Sequence, residues 1–88
     1  MVRYLVLRYV YLGNGFGVYV FEGVFCSLGG ALERYREVVE RSRDTVLLVQ
    51  IVRESYVDRA CGIICRERED RERCVEECLR RFEEGVCR

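Results

Sequence analysis

Two apolar runs open the chain. Residues 2–12 (VRYLVLRYVYL) and 18–25 (VYVFEGVF) are dense in Val, Leu, Tyr and Phe. Gly13-Asn14-Gly15-Phe16-Gly17 separates them and is a strong turn signal. A β-hairpin follows. Pairing Leu12 with Val18 sets Val10 opposite Val20, Arg8 opposite Glu22 and Val6 opposite Val24. On the other face the same register sets Tyr11 opposite Tyr19, Tyr9 opposite Phe21 and Leu5 opposite Phe25. It joins the strand Arg to the strand Glu and aligns the aromatic residues, and such cross-strand pairs each contribute about 0.2–1 kcal/mol. Both hairpin faces are apolar, so each needs a cover.

The pattern then changes period. Leu28, Ala31, Leu32, Tyr35, Val38, Val39 and Ser42 fall on one helical stripe, and the polar side holds Glu33, Arg34, Arg36, Glu37, Glu40 and Arg41. Residues 28–43 are predicted helical, with Ser27 as N-cap. Residues 45–53 (TVLLVQIVR) form a nearly continuous apolar run, expected as a third, well-buried strand. Ser55 with Asp58 resembles a capping box. Val57, Ala60, Cys61, Ile64 and Cys65 make a second helical stripe. Cys74, Val75, Cys78, Leu79 and Phe82 make a third, beyond a charged run from Arg66 to Arg73. Gly85 before Val86 reads as a helix-terminating glycine. Two arrangements fit residues 54–88: a helical hairpin turning near Glu69-Asp70, with Asp70 capping the last helix, or one long helix. The expected fold class is α+β: one domain, with a ββαβ unit over 1–53 and a cysteine-rich helical segment over 54–88.

Composition adds a habitat. Fifteen basic residues, every one Arg, balance fifteen acidic residues in a chain of 88 without His, Pro or Trp. Arg holds carboxylates in a planar fork and stays charged. A dense Arg/Glu surface is the ion-pair network expected at high temperature, which points to a hyperthermophilic archaeon or its virus. Codon bias toward Arg is the bland alternative. A chain this short buries a modest core, so staples are expected. The first twelve residues do not form a secretory leader, and no apolar run has the length to span a membrane. The expected location is therefore the cytoplasm of a hyperthermophile, where disulfides persist.

The six cysteines carry the most chemistry. Cys61-x3-Cys65 and Cys74-x3-Cys78 each place two sulfurs one helical turn apart on one face. In an antiparallel helical hairpin Cys61 faces Cys78 and Cys65 faces Cys74. This twin CX3C arrangement, over residues 61–78 only, resembles the helical hairpins of plant α-hairpinins and small mitochondrial intermembrane-space chaperones. The spacer of eight residues is short for those families, and the β-rich N-terminal half has no counterpart in them. The resemblance implies the pairings Cys61–Cys78 and Cys65–Cys74 and carries over no function. Cys26 and Cys87 remain for a third bridge, tying the chain end to the start of the first helix. Reduced core cysteines and a thiolate metal site are the alternatives; four thiolates suffice for zinc, but the spacing is not CxxC.

The remaining motifs are structural. Gly13-x-Gly15-x-Gly17 connects two strands, so it lacks the strand–helix context of a phosphate loop. Ser27-Leu28-Gly29-Gly30 opens a helix where backbone N–H groups could hold an anion, although a cap is the simpler use. The charged run 66–73 alternates in sign and reads as a solvated ion-pair turn. No general acid–base pair stands out, and no catalytic residue or cofactor is nominated. Tyr9, Tyr11, Tyr19 and Phe21 are the expected interaction surface. Protein packing, in a homodimer or against another protein partner, suits them better than base stacking, since no basic excess accompanies them. A structural or protein-interaction module is the leading expectation. A nucleic-acid-binding regulator and a metal or redox protein are the alternatives.

Overall fold

The computed structural model describes residues 2–84. Strands β1 (Arg3–Gly13) and β2 (Phe16–Phe25) form the hairpin, followed by helix α1 (Leu28–Arg41), strand β3 (Thr45–Ile51), and helices α2 (Ser55–Ile64) and α3 (Arg71–Glu84). The fold is α+β. The sheet is antiparallel with order β2-β1-β3, so α1 carries the chain across the central strand from one edge to the other.

The hairpin register differs from the sequence expectation. Asn14 and Gly15 both have positive φ, 55° and 79°, the requirement of a tight two-residue turn whose twist matches the strands. Phe16 and Gly17 thereby join β2, Gly13 pairs with Phe16, and Val18 pairs with Val10 instead of Leu12. A second shift lies between Val6 and Leu7, where Leu7 pairs with Phe21 but Val6 pairs with Gly23. Glu22 is the extra residue of this β-bulge. A bulge reverses the face of everything beyond it. Val24 therefore sits opposite Leu5 and Phe25 opposite Tyr4, not Val6 and Leu5 as expected.

Each sheet face has its own cover. Leu5 and Leu7 of β1 form the main core with Ile51, Val57, Cys61, Ile64, Cys65, Cys78 and Phe82, beneath α2 and α3. Val24 packs against the same cluster. On the opposite face Val6, Ala31 and Val38 are fully buried where α1 lies across all three strands. Phe25 reaches that side: a Cβ added at Gly30 would lie 3.5 Å from its ring.

The helix ends have local causes. Ser27 Oγ accepts a hydrogen bond from Gly30 N at 3.1 Å, as its N-cap position requires. At the other end α1 stops at Arg41, and Ser42 N donates to Val38 O. β3 ends at Ile51, two residues earlier than its apolar run suggests. Ser55 is not the N-cap of α2. The chain is already winding at Arg53 and Glu54, whose carbonyls accept from Tyr56 N and Val57 N, so Glu54 takes that place without a side-chain bond.

The helical segment is a hairpin. Arg66 N donates to Ile63 O and Arg68 N to Cys65 O, and these tight three-residue turns end α2 without Gly or Pro. Cys74 N then donates to Asp70 O at 2.9 Å, which opens α3 after the expected Asp. The Gly85–Val86 terminator lies outside the described residues.

Candidate interaction surface

The sulfurs of Cys61 and Cys78 are 2.09 Å apart and those of Cys65 and Cys74 2.01 Å apart, both at disulfide distance. The periodicity of the two helices creates this geometry: each CX3C places its sulfurs on the face that meets the other helix. Cys61, Cys65 and Cys78 are buried in the main core, and Cys74 is partly exposed at its border. The expected Cys26–Cys87 bridge involves Cys87, which lies outside the described residues. Among the described residues no cluster of three or more His, Cys, Asp or Glu side chains could hold a metal ion. Among them, too, no helix is long and apolar enough to cross a membrane.

The four aromatic residues nominated from the sequence do not share one environment. Phe21 meets Phe82 edge-on, with ring centroids 6.0 Å apart, and Arg81 stacks over Phe21 at 5.1 Å. Tyr19 packs against the main core and meets Tyr9 edge-on at 5.1 Å. Tyr9 also lies across the backbone of Gly17, where an added Cβ would come within 2.3 Å of its ring. Only Tyr11 of the four is strongly exposed, at 64%, and its hydroxyl accepts from Gly15 N.

The exposed apolar groups lie elsewhere. Leu12 is 65% and Phe16 60% exposed, and with Tyr11 they gather at the hairpin tip. The bulge between Tyr11 and Gly13 leaves Leu12 without a partner across the strands. A second apolar feature is a cleft of about 160 Å³ between β3 and α2, lined by Leu7, Leu47, Val49, Ala60, Ile63 and Ile64. Ile63 is 56% exposed beside it. Sequence reasoning missed Phe16 because it sat in a turn motif. It missed Leu47 and Val49 because a continuous apolar run implies burial on both faces. An aromatic inside a glycine turn was the available signal for the first.

The charged residues close the other side. Glu22, with its side chain only 7% exposed, accepts from Arg41 at 2.8 Å and from Arg34 and Arg8 at 3.4 Å each. Arg34 Nε also donates to the Glu22 carbonyl at 3.1 Å. Arg8 reaches Asp44 at 2.8 Å, a contact that holds the Asp44 carboxyl below its ordinary range, helped by the Ser42 hydroxyl. The same contact is the largest cause raising Arg8, ahead of the opposing effect of burial and the contributions of Glu22. Each of these guanidinium groups already holds a carboxylate, so the cluster fastens β1, β2, α1 and the α1–β3 loop together. At the opposite end Arg3 ties β1 to α3 and α2, donating to Phe82 O and pairing with Glu54 at 3.2 Å.

No protein-family model matches this chain. No curated protein and no solved structure matches it either.

Proposed function

We propose that this chain is a structural or protein-interaction module that works as a homodimer in the cytoplasm of a hyperthermophile. One observation carries the proposal: a small, disulfide-stapled domain leaves large apolar side chains in water along the margin between β3 and α2. Ile63, 56% exposed, borders the apolar cleft that Leu47 and Val49 of β3 form with Ala60 and Ile64 of α2. Small domains gain little from packing, and scattered exposed apolar residues need no explanation, but a gathered set marks a surface for association. The disulfides support the same reading. They hold α2 against α3, so the surface is presented by a rigid scaffold, and rigidity lowers the ordering cost of association. The absence of Lys and the ion pairs around Glu22 support a hot habitat, where ion-pair networks stabilise best.

Static light scattering over a wide concentration range tests the proposal. The expected mass is twice the chain mass of 10.4 kDa. A mass of one chain at the highest soluble concentration removes the homodimer.

A further inference from the structure

The sheet has two edges, and the chain treats them differently. Backbone groups on an open edge are a template for another strand, and proteins usually blunt them with bulges, charges or covering groups. The β2 edge is blunted in all three ways. It carries the bulge at Glu22, the charge of Glu22 itself, and two arginines bound to its carbonyls. Arg68 Nη2 donates to Tyr19 O at 2.9 Å and Arg34 Nε to Glu22 O at 3.1 Å.

The β3 edge has none of these devices. Thr45-Val46-Leu47-Leu48-Val49-Gln50-Ile51 contains no charge, no Gly and no Pro, and it pairs with β1 without a register shift. Among the described residues no side chain or loop donates to or accepts from its outer backbone. Val46, Leu47, Leu48 and Val49 are apolar on both faces, yet each is only partly buried. The cleft beside Leu47 and Val49 opens along the same margin.

We infer that β3 is a strand-pairing edge whose occupant is β3 of a second copy of this chain, running antiparallel about a two-fold axis normal to the sheet. The inference rests on the homodimer proposed above and names its interface. Such an axis carries each sheet face onto itself, so opposed residues must share a face. Placing Leu48 opposite Leu48 of the second copy satisfies this for the whole strand. Thr45 then opposes Ile51, Val46 opposes Gln50, and Leu47 opposes Val49. Leu47 and Val49 lie on the α2 side in both copies, so the two apolar clefts meet across the axis. A strand added at this edge meets no charge on β3 to pair with, so an uncharged strand that is apolar on both faces suits it best. β1 and β2 carry Arg3, Arg8 and Glu22; β3 alone among the strands fits that description, and a second copy supplies it.

The test compares the wild-type chain with Thr45→Lys and Gln50→Lys. Both positions are exposed, so a lysine there is solvated in the single chain. In the paired sheet each would lie against an apolar residue of the other copy. Wild type should scatter as a dimer, and both variants should weaken the dimer at least about tenfold with unchanged circular dichroism. Phe16→Lys, at the hairpin tip, should leave the dimer intact. As a second measurement, β3 amides should lose hydrogen-exchange protection on dilution while β2 amides do not. If the wild type dimerises but the variants do too, and β3 exchange is independent of concentration, this interface is wrong and the homodimer stands. A monomeric wild type overturns both.

Discussion

Glu22 gathers three arginines around a carboxylate that is almost out of water, while its neighbour Glu37, 59% exposed, pairs with Arg34. The two acids should therefore respond differently to loss of charge. Glu22→Gln leaves Arg8, Arg34 and Arg41 facing each other without their shared counter-charge, and should cost about 1–3 kcal/mol. Glu37→Gln should cost under about 0.5 kcal/mol, as exposed pairs do. Urea unfolding at constant slope would separate them. Asp44 adds a pH dependence of definite sign. Its folded carboxyl is held below the ordinary value of 3.8, first by Arg8 and then by Ser42. A depressed carboxyl contributes stability that is present above the unfolded value and lost as pH falls through the folded one. Asp44→Asn should thus be less stable than wild type at neutral pH, and the gap should close in acid below about pH 4. A gap that stays constant down to pH 2 would assign the stabilisation to something other than this carboxylate.

At the scale of elements, one inserted residue decides how β2 meets both layers. The bulge turns Val24 toward the α2–α3 core and Phe25 toward α1, and it needs Gly23, whose φ is +152°. A side chain there would be strained, and its Cβ would come within 2.8 Å of the Phe25 ring. Gly23→Ala should cost about 1–3 kcal/mol. Gly62, inside α2, is the opposite case. An added Cβ meets nothing within 4 Å there, so Gly62→Ala should stabilise by about 0.5–1 kcal/mol through helix propensity. Chemical denaturation of the two variants gives shifts of opposite sign. An unchanged stability of Gly23→Ala would mean that the backbone at Gly23 is not what constrains the bulge.

For the whole molecule, the disulfides hold α2 and α3 together as one layer over the sheet. Cys61–Cys78 spans 17 residues and Cys65–Cys74 spans 9. In the loop-entropy account the longer closure is worth about 3 kcal/mol and the shorter about 2.5 kcal/mol. Replacing Cys61 and Cys78 together by Ala should therefore lower the melting temperature more than replacing Cys65 and Cys74. Burial widens the difference: Cys61 and Cys78 are both buried, so their truncation leaves the larger void, whereas Cys74, the partner of Cys65, is partly exposed. A domain of this size shifts by about 4–8 °C per kcal/mol, so calorimetry resolves the order. The reverse order would mean that neither the longer closure nor the deeper burial of the Cys61–Cys78 pair governs the stabilisation.

The hydrophobic periods were legible residue by residue. They placed two hairpin strands, one helix, a third strand and two further helical stripes, because local burial repeats at two or at 3.6 residues whatever lies opposite. The facing of Cys61 with Cys78 and of Cys65 with Cys74 followed from the same spacing once the segment folds back. The meeting of Arg8 and Glu22 was also legible, although the structure reaches it by another route. Arg8 sits opposite Val20, and Glu22 comes to it through the bulge.

Tertiary structure alone decided the rest. Register depended on a two-residue turn at Asn14-Gly15 and on a bulge at Glu22, and each moves side chains between faces without altering the apolar pattern. The joining of Arg34 and Arg41 to Glu22 brings together residues 12 and 19 positions away, which no local period encodes. The place of β3 at the sheet edge was equally invisible. A run of apolar residues looks alike in the middle of a sheet and at its margin, since side chains report how much a strand is buried and not which neighbour its backbone lacks.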